Sequence, residues 1–155
     1  MRKLVISIMF ICVPFSFVQA RDIAVTMNKV SSSGLGDSIG VVVISEVSNG
    51  LLLTPYLHGM PSGDYTFSIN ETVSCHNTVT STGISVAAMA AGNSLWQLPD
   101  LRISLDGSAM GSVSISNIGF DDISQRTLIV SKKTGLTLGF SHTGNRVACG
   151  SLEQY

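Results

Sequence analysis

From residue 23 onward the chain alternates apolar and polar positions with a period of two, and β-branched residues fill many of the apolar positions. That period marks strands with one buried face. It predicts strands over 23–30, 39–47, 51–56, 65–70, 101–105, 111–118, 126–131, 136–141 and 146–151. Turn sequences separate them: Ser31-Ser32-Ser33-Gly34, Met60-Pro61-Ser62-Gly63, Asp106-Gly107 and the hairpin signal Ser48-Asn49-Gly50. Within 65–70, Tyr65, Phe67 and Ile69 share one face while Thr66, Ser68 and Asn70 share the other. Residues 76–93, rich in Ser, Thr, Ala and Gly, predict a loop with one short strand near 84–88. Asp121-Asp122-Ile123-Ser124 predicts a single helical turn, and no longer helix is expected. Seven to nine short strands with frequent turns, no internal repeat and no linker predict one all-β domain, a Greek-key sandwich or flattened barrel.

Ahead of this pattern stands a different kind of segment. Arg2 and Lys3 precede an apolar run from Leu4 to Val18, and Val18-Gln19-Ala20 has the small-residue character of a cleavage site. Ser7, Pro14 and Ser16 interrupt the run, which is shorter than the roughly 20 apolar residues of a membrane span. The expectation is a signal peptide over 1–20 and a mature domain over 21–155, periplasmic or secreted. An uncleaved anchor is the competing reading. Cys12 lies inside the apolar run, so lipidation at a cleavage point is not expected.

Removing the leader also changes the charge and the cysteine count. Without Arg2 and Lys3, seven Lys and Arg face ten Asp and Glu, a net charge of −3. No basic stripe is left for nucleic acid or an anionic membrane surface. Cys75 and Cys149 are left after Cys12 is lost, and two cysteines in an exported chain most simply form one disulfide. Asn70-Glu71-Thr72 matches a glycosylation acceptor, a short motif of low specificity.

Few residues suggest chemistry by themselves. His58, His76 and His142 fall in expected loops without a fixed metal-ligand spacing, as solvated loop residues do. No nucleophile elbow, phosphate-cradling loop or paired Cys-x-x-Cys is present. Asp121 and Asp122 fit a solvated turn, Trp96 a core or loop-anchoring aromatic, and Met60, Met89 and Met110 fit plastic core filling.

Four blocks read together carry more. Residues 57–70, Leu-His-Gly-Met-Pro-Ser-Gly-Asp-Tyr-Thr-Phe-Ser-Ile-Asn, followed by Cys75, resemble a Pro-x-Gly segment leading to Gly-Phe-His-Ile-His and a Cys. Residues 93–99, Asn-Ser-Leu-Trp-Gln-Leu-Pro, resemble His-Leu-Gly-Asp-Leu-Pro. Residues 122–131 resemble a helical turn and strand ending in His, and 146–150, Arg-Val-Ala-Cys-Gly, resemble a closing Arg-x-Ala-Cys-Gly. In that order, over roughly residues 37–152, the chain resembles the bacterial periplasmic copper–zinc superoxide dismutases. The resemblance implies a Greek-key β-sandwich and a Cys75–Cys149 disulfide pinning a loop to the last strand.

It also implies which residues stand at the metal positions. Ser68, Asn70 and Ser131 replace three copper histidines, and Ser94 and Gln97 replace a zinc histidine and aspartate. The family's Gly-Gly-His segment has no counterpart between Cys75 and Ser94. Ser and Asn are poor ligands for copper, which favours imidazole. The expectation is therefore a metal-free member without cofactor or catalytic residue, its former site a wet surface or shallow cleft. Arg146 matches the family's anion-guiding Arg, and without copper it is expected to bond loop carbonyls.

Function is then expected to lie in binding a protein or surface partner through the loops 76–93 and 131–145, with identity and oligomeric state open. The alternative is a dismutase or metal-handling protein with a rebuilt site. Such a site would draw on His58, His76 and His142, with Met60, Met89 and Met110 as soft donors. A structural, self-associating surface protein is the third class that the composition allows.

Overall fold

A computed structural model describes residues 21–133 and 145–153. The expected leader, the strand expected at 136–141, His142 and most of the loop 131–145 lie outside the described residues. Strands β1 (Asp22–Ser31), β2 (Gly34–Val47), β3 (Gly50–Leu57) and β4 (Gly63–Asn70) open the domain. Two-residue strands β5 (Thr78–Val79) and β6 (Ser85–Val86) form a small hairpin, and β7 (Ser94–Ile103) follows. Then come β8 (Ala109–Met110), β9 (Val113–Ser116), helical turn α1 (Phe120–Ile123), β10 (Arg126–Lys132) and β11 (Arg146–Leu152).

Nine of these strands make one antiparallel sheet in the order β8-β7-β4-β10-β11-β1-β2-β3-β9. Its two end strands are neighbours in sequence, and β3 lies alongside β8, so the sheet curls into a flattened barrel. Strands β3 and β4 are consecutive in sequence yet lie far apart in this order, the long return of a Greek key. Two hydrophobic clusters follow from the curl. Inside the barrel, Met27, Ile44, Leu53, Tyr65, Phe67, Ile69 and Leu128 are among the side chains with at most 2 % exposure. Each contributes about 2–3 kcal/mol by leaving water. Outside it, Val30, Ala88, Ala91, Ile129 and Cys149 form a smaller cluster beneath the segment after β4.

Three expectations change. The strand expected at 101–105 begins seven residues earlier, at Ser94. The register between β4 and β7 slips between Tyr65 and Phe67, and Pro99, which has no N–H for a ladder, sits in that bulge. The strand expected over 111–118 shortens to β9, which pairs with β3, and Gly111 at φ +83° separates it from β8, which precedes it and pairs with β7. The strand near 84–88 is the two-residue β6. The turn at Ser48-Asn49-Gly50 joins β2 to β3, and Gly50 is required there. With φ +144°, a Cβ on it would lie 1.9 Å from the Ile115 carbonyl oxygen of β9.

The turn from β7 to β8 carries a pH-dependent element. Asp106 accepts hydrogen bonds from the Ser104 hydroxyl, the Ser108 hydroxyl at 2.7 Å and the Ser108 amide at 3.0 Å, and these hold its pKa down to about 2. A depressed carboxyl stabilises the folded turn above its ordinary value near 3.8 and ceases to do so as pH falls through about 2. A carbon-detected NMR titration should place the Asp106 carboxyl midpoint near pH 2 in wild type. In the Ser104→Ala/Ser108→Ala variant it should move back toward 3.8.

Candidate functional site

Ser68 and Asn70 sit on one face of β4, turned away from the face that sends Phe67 and Ile69 into the barrel. In register they stand opposite Ile129 and Thr127 of β10, and Ser131 follows two residues on from Ile129. The three polar positions therefore share the outer surface of adjacent strands. Residues 71–93 fold back over that surface as a roof.

Local chemistry explains why the roof closes. Cys75 is bonded to Cys149 of β11, with 5.8 Å between their Cα atoms. Asn77 gives its amide to the Ser31 carbonyl at 2.7 Å and to the Ser85 hydroxyl at 3.2 Å, and its side-chain oxygen accepts from the Ala88 amide. Glu71 Oε2 accepts from the Asn93 backbone at 2.9 Å, tying the two ends of the segment together. Small Ala88 and Ala91 then fit flush against Ile129 and Cys149. Asn77 and Glu71 organise the roof, yet in the sequence each looks like an ordinary polar loop residue.

Under the roof runs one hydrogen-bonded chain. Ser68 Oγ donates to Asn70 Oδ1 at 2.8 Å, and Asn70 Nδ2 donates to the Gly92 carbonyl at 2.9 Å. Arg146, at the start of β11, donates to the same Gly92 carbonyl and to the Ala88 carbonyl. The residue is 7 % exposed, and burial lowers its pKa from the ordinary value. An arginine stays charged all the same. No wet surface or shallow cleft results. Ser68, Asn70 and Ser131 are 9 %, 2 % and 5 % exposed, and the roof meets the first two through the chain from Ser68 by Asn70 to the Gly92 carbonyl.

The other candidates scatter. Ser94 and Gln97 are exposed on β7, opposite Asn70 and Ser68, and the Gln97 amide donates to the Phe67 carbonyl at 3.1 Å. His58 and His76 are exposed in separate loops, and among the described residues no three His, Cys, Asp or Glu side chains gather where a metal could sit. Met60 fills the core as expected, whereas Met89 and Met110 are exposed at the surface. Trp96 packs against the barrel core, and Asp122 accepts from the Gly119 amide at the start of α1.

Comparison with known proteins gives this arrangement its context. The chain is 31 % identical to superoxide dismutase [Cu-Zn] 2 of Salmonella typhimurium, over 87 % of this chain and 90 % of that one. The chain belongs to the copper–zinc superoxide dismutase family. The superoxide dismutase [Cu-Zn] of Escherichia coli K12 matches with the same identity and coverage. Among solved structures, the Cu/Zn superoxide dismutase from Brucella abortus superposes with a TM-score of 0.76 at 26 % identity, covering 86 % of this chain and all of that one. The monomeric copper, zinc superoxide dismutase from Salmonella enterica gives 0.74 at 31 % identity, covering 85 % of this chain and 99 % of the other. No family model matches the chain. The superoxide dismutase fold and the Cys75–Cys149 bridge are thus those expected from the sequence.

Proposed function

We propose that this superoxide dismutase-like chain is an exported, non-catalytic binding module that holds neither copper nor zinc at the family's positions. The observation that carries the reading is the donor set on the outer face of β4 and β10. There the side chains matched to copper histidines are two hydroxyls and an amide, and Ser68 and Asn70 are already hydrogen-bonded to each other and to the roof. Copper and zinc sites draw on imidazole, thiolate and carboxylate, and neutral hydroxyl or amide oxygens hold either metal weakly. A ligand here would also have to displace Gly92 from Asn70 and Arg146. No redox step is assigned to these residues.

The binding half of the proposal rests on the roof's outer side. Its β5–β6 hairpin presents Val79 and Ile84, 65 % and 62 % exposed, at the surface the family uses around its metals. A hairpin that follows the Cys75 anchor and carries exposed β-branched side chains is a suitable contact surface for a protein partner. The proposal includes removal of residues 1–20 and release to the periplasm or medium.

Elemental analysis of protein isolated from copper- and zinc-supplemented periplasm tests the reading. The expected content is below about a tenth of an equivalent of either metal, with no copper-dependent dismutation, while the Salmonella typhimurium relative prepared in parallel carries both activities of metal binding and turnover. Near-stoichiometric metal would overturn it, and His58, His76 and His142 would be the residues to substitute first.

A further inference from the structure

We propose that the open end of the barrel binds a small amphipathic monoanion, a single carboxylate on a compact apolar body. This goes beyond the reading above and does not rest on it. The site is a cavity of about 550 Å³ between the β1–β2 turn, the β3–β4 connection and the facing ends of β10 and β11. Ser68, Asn70 and Ser131 do not line it, and it adjoins the roof only at Val30 and Ser31. That volume lies in the range of about 300–1,000 Å³ that suits small molecules.

The lining decides the ligand class. The floor is apolar: Val30, Ile39, Met60 and Tyr65 are all buried core side chains that border the cavity. Tyr65 offers no free donor to it, because its hydroxyl already donates to the Pro61 carbonyl at 2.8 Å. The walls are kept back by residues without side chains. A Cβ at Gly59 would meet nothing within 4 Å, and one at Gly36 would meet only Lys29. An apolar body can therefore enter without any polar group being left unpaired below it.

Charge is confined to the rim. Lys29, Lys132 and Asp37 border the cavity, all three exposed. Among the described residues neither lysine is ion-paired, whereas the neighbouring Lys133 is held by Asp100. The mouth thus carries two cations and one carboxylate, a net single positive charge facing an apolar floor. Charge complementarity favours a ligand with one negative head group, and disfavours an ammonium of the same shape.

Titration of the disulfide-intact protein with sodium octanoate, followed by amide NMR, tests the assignment, with octylammonium as the opposite-charge probe. Octanoate should bind in about the millimolar range, with shifts centred on Ile39, Gly59, Met60 and Tyr65. Octylammonium should bind at least about tenfold more weakly. The Lys29→Glu/Lys132→Glu variant changes only exposed side chains, so its spectrum should report an unaltered fold, and its preference between the two probes should invert. Absence of octanoate shifts up to about 10 mM, shifts centred elsewhere, or unchanged octanoate affinity in the variant would each overturn the proposal.

Discussion

Replacing Cys75 and Cys149 together by alanine should cost this domain about 4 kcal/mol of stability. The bridge joins residues 74 apart, and closing a loop of that length removes about that much conformational freedom from the unfolded chain. Alanine keeps the outer cluster apolar, so the loss reports the cross-link and little else. For a domain of this size the midpoint of thermal unfolding should fall by roughly 12–16 °C. Trp96, the single tryptophan, packs against the barrel core and gives the signal for a urea titration. The loss should not be uniform. Hydrogen exchange should accelerate first in residues 71–93, which Cys75 tethers to β11, and last in β4 and β10, whose ladder pairs six residues without the bridge. A loss under about 1 kcal/mol would mean that the hydrogen bonds of Asn77 and Glu71 hold the roof on their own.

The same roof marks the boundary of what the sequence discloses. Period-two alternation places Tyr65, Phe67 and Ile69 on one face of β4, and they are in the core as expected. The opposite face reads as solvent-facing, since Thr66, Ser68 and Asn70 are polar. Yet Asn70 is among the most buried polar groups of the described chain. Alternation reports which side chains share a face, not whether a distant segment will cover it. That covering is achieved by a disulfide and two side chains spread over residues 71–93, with no periodic signature. Alternation likewise gives no sign of the bulge that lets β7 run through Pro99, whose missing N–H is not needed there. The family blocks were legible because they are local. The cavity at the barrel end was not, because Lys29, Gly59 and Lys132 meet only after the barrel closes.

Arg146→Ala should destabilise the domain by about 3 kcal/mol, although the sequence resemblance implies an anion-guiding position for it. The residue is 7 % exposed and its side chain donates to two carbonyls, Ala88 and Gly92, that lie under the roof. Removing it takes one charged donor from each carbonyl, Ala88 keeping the Ala91 amide and Gly92 keeping Asn70, and a hydrogen bond from a charged group contributes about 1.5–3 kcal/mol. Arg146→Lys should recover only part of the loss, since an ammonium lacks the planar fork that reaches both carbonyls. Urea unfolding of the two variants measures the costs. Exchange of the Gly92 amide, which donates to the Met89 carbonyl, shows whether the roof is the part released. An arginine kept for an external anion would leave stability within about 0.5 kcal/mol of wild type and change only anion-dependent behaviour. A loss near 3 kcal/mol, confined to the roof, would instead assign Arg146 to holding residues 88–92 against the strands where Ser68 and Asn70 stand.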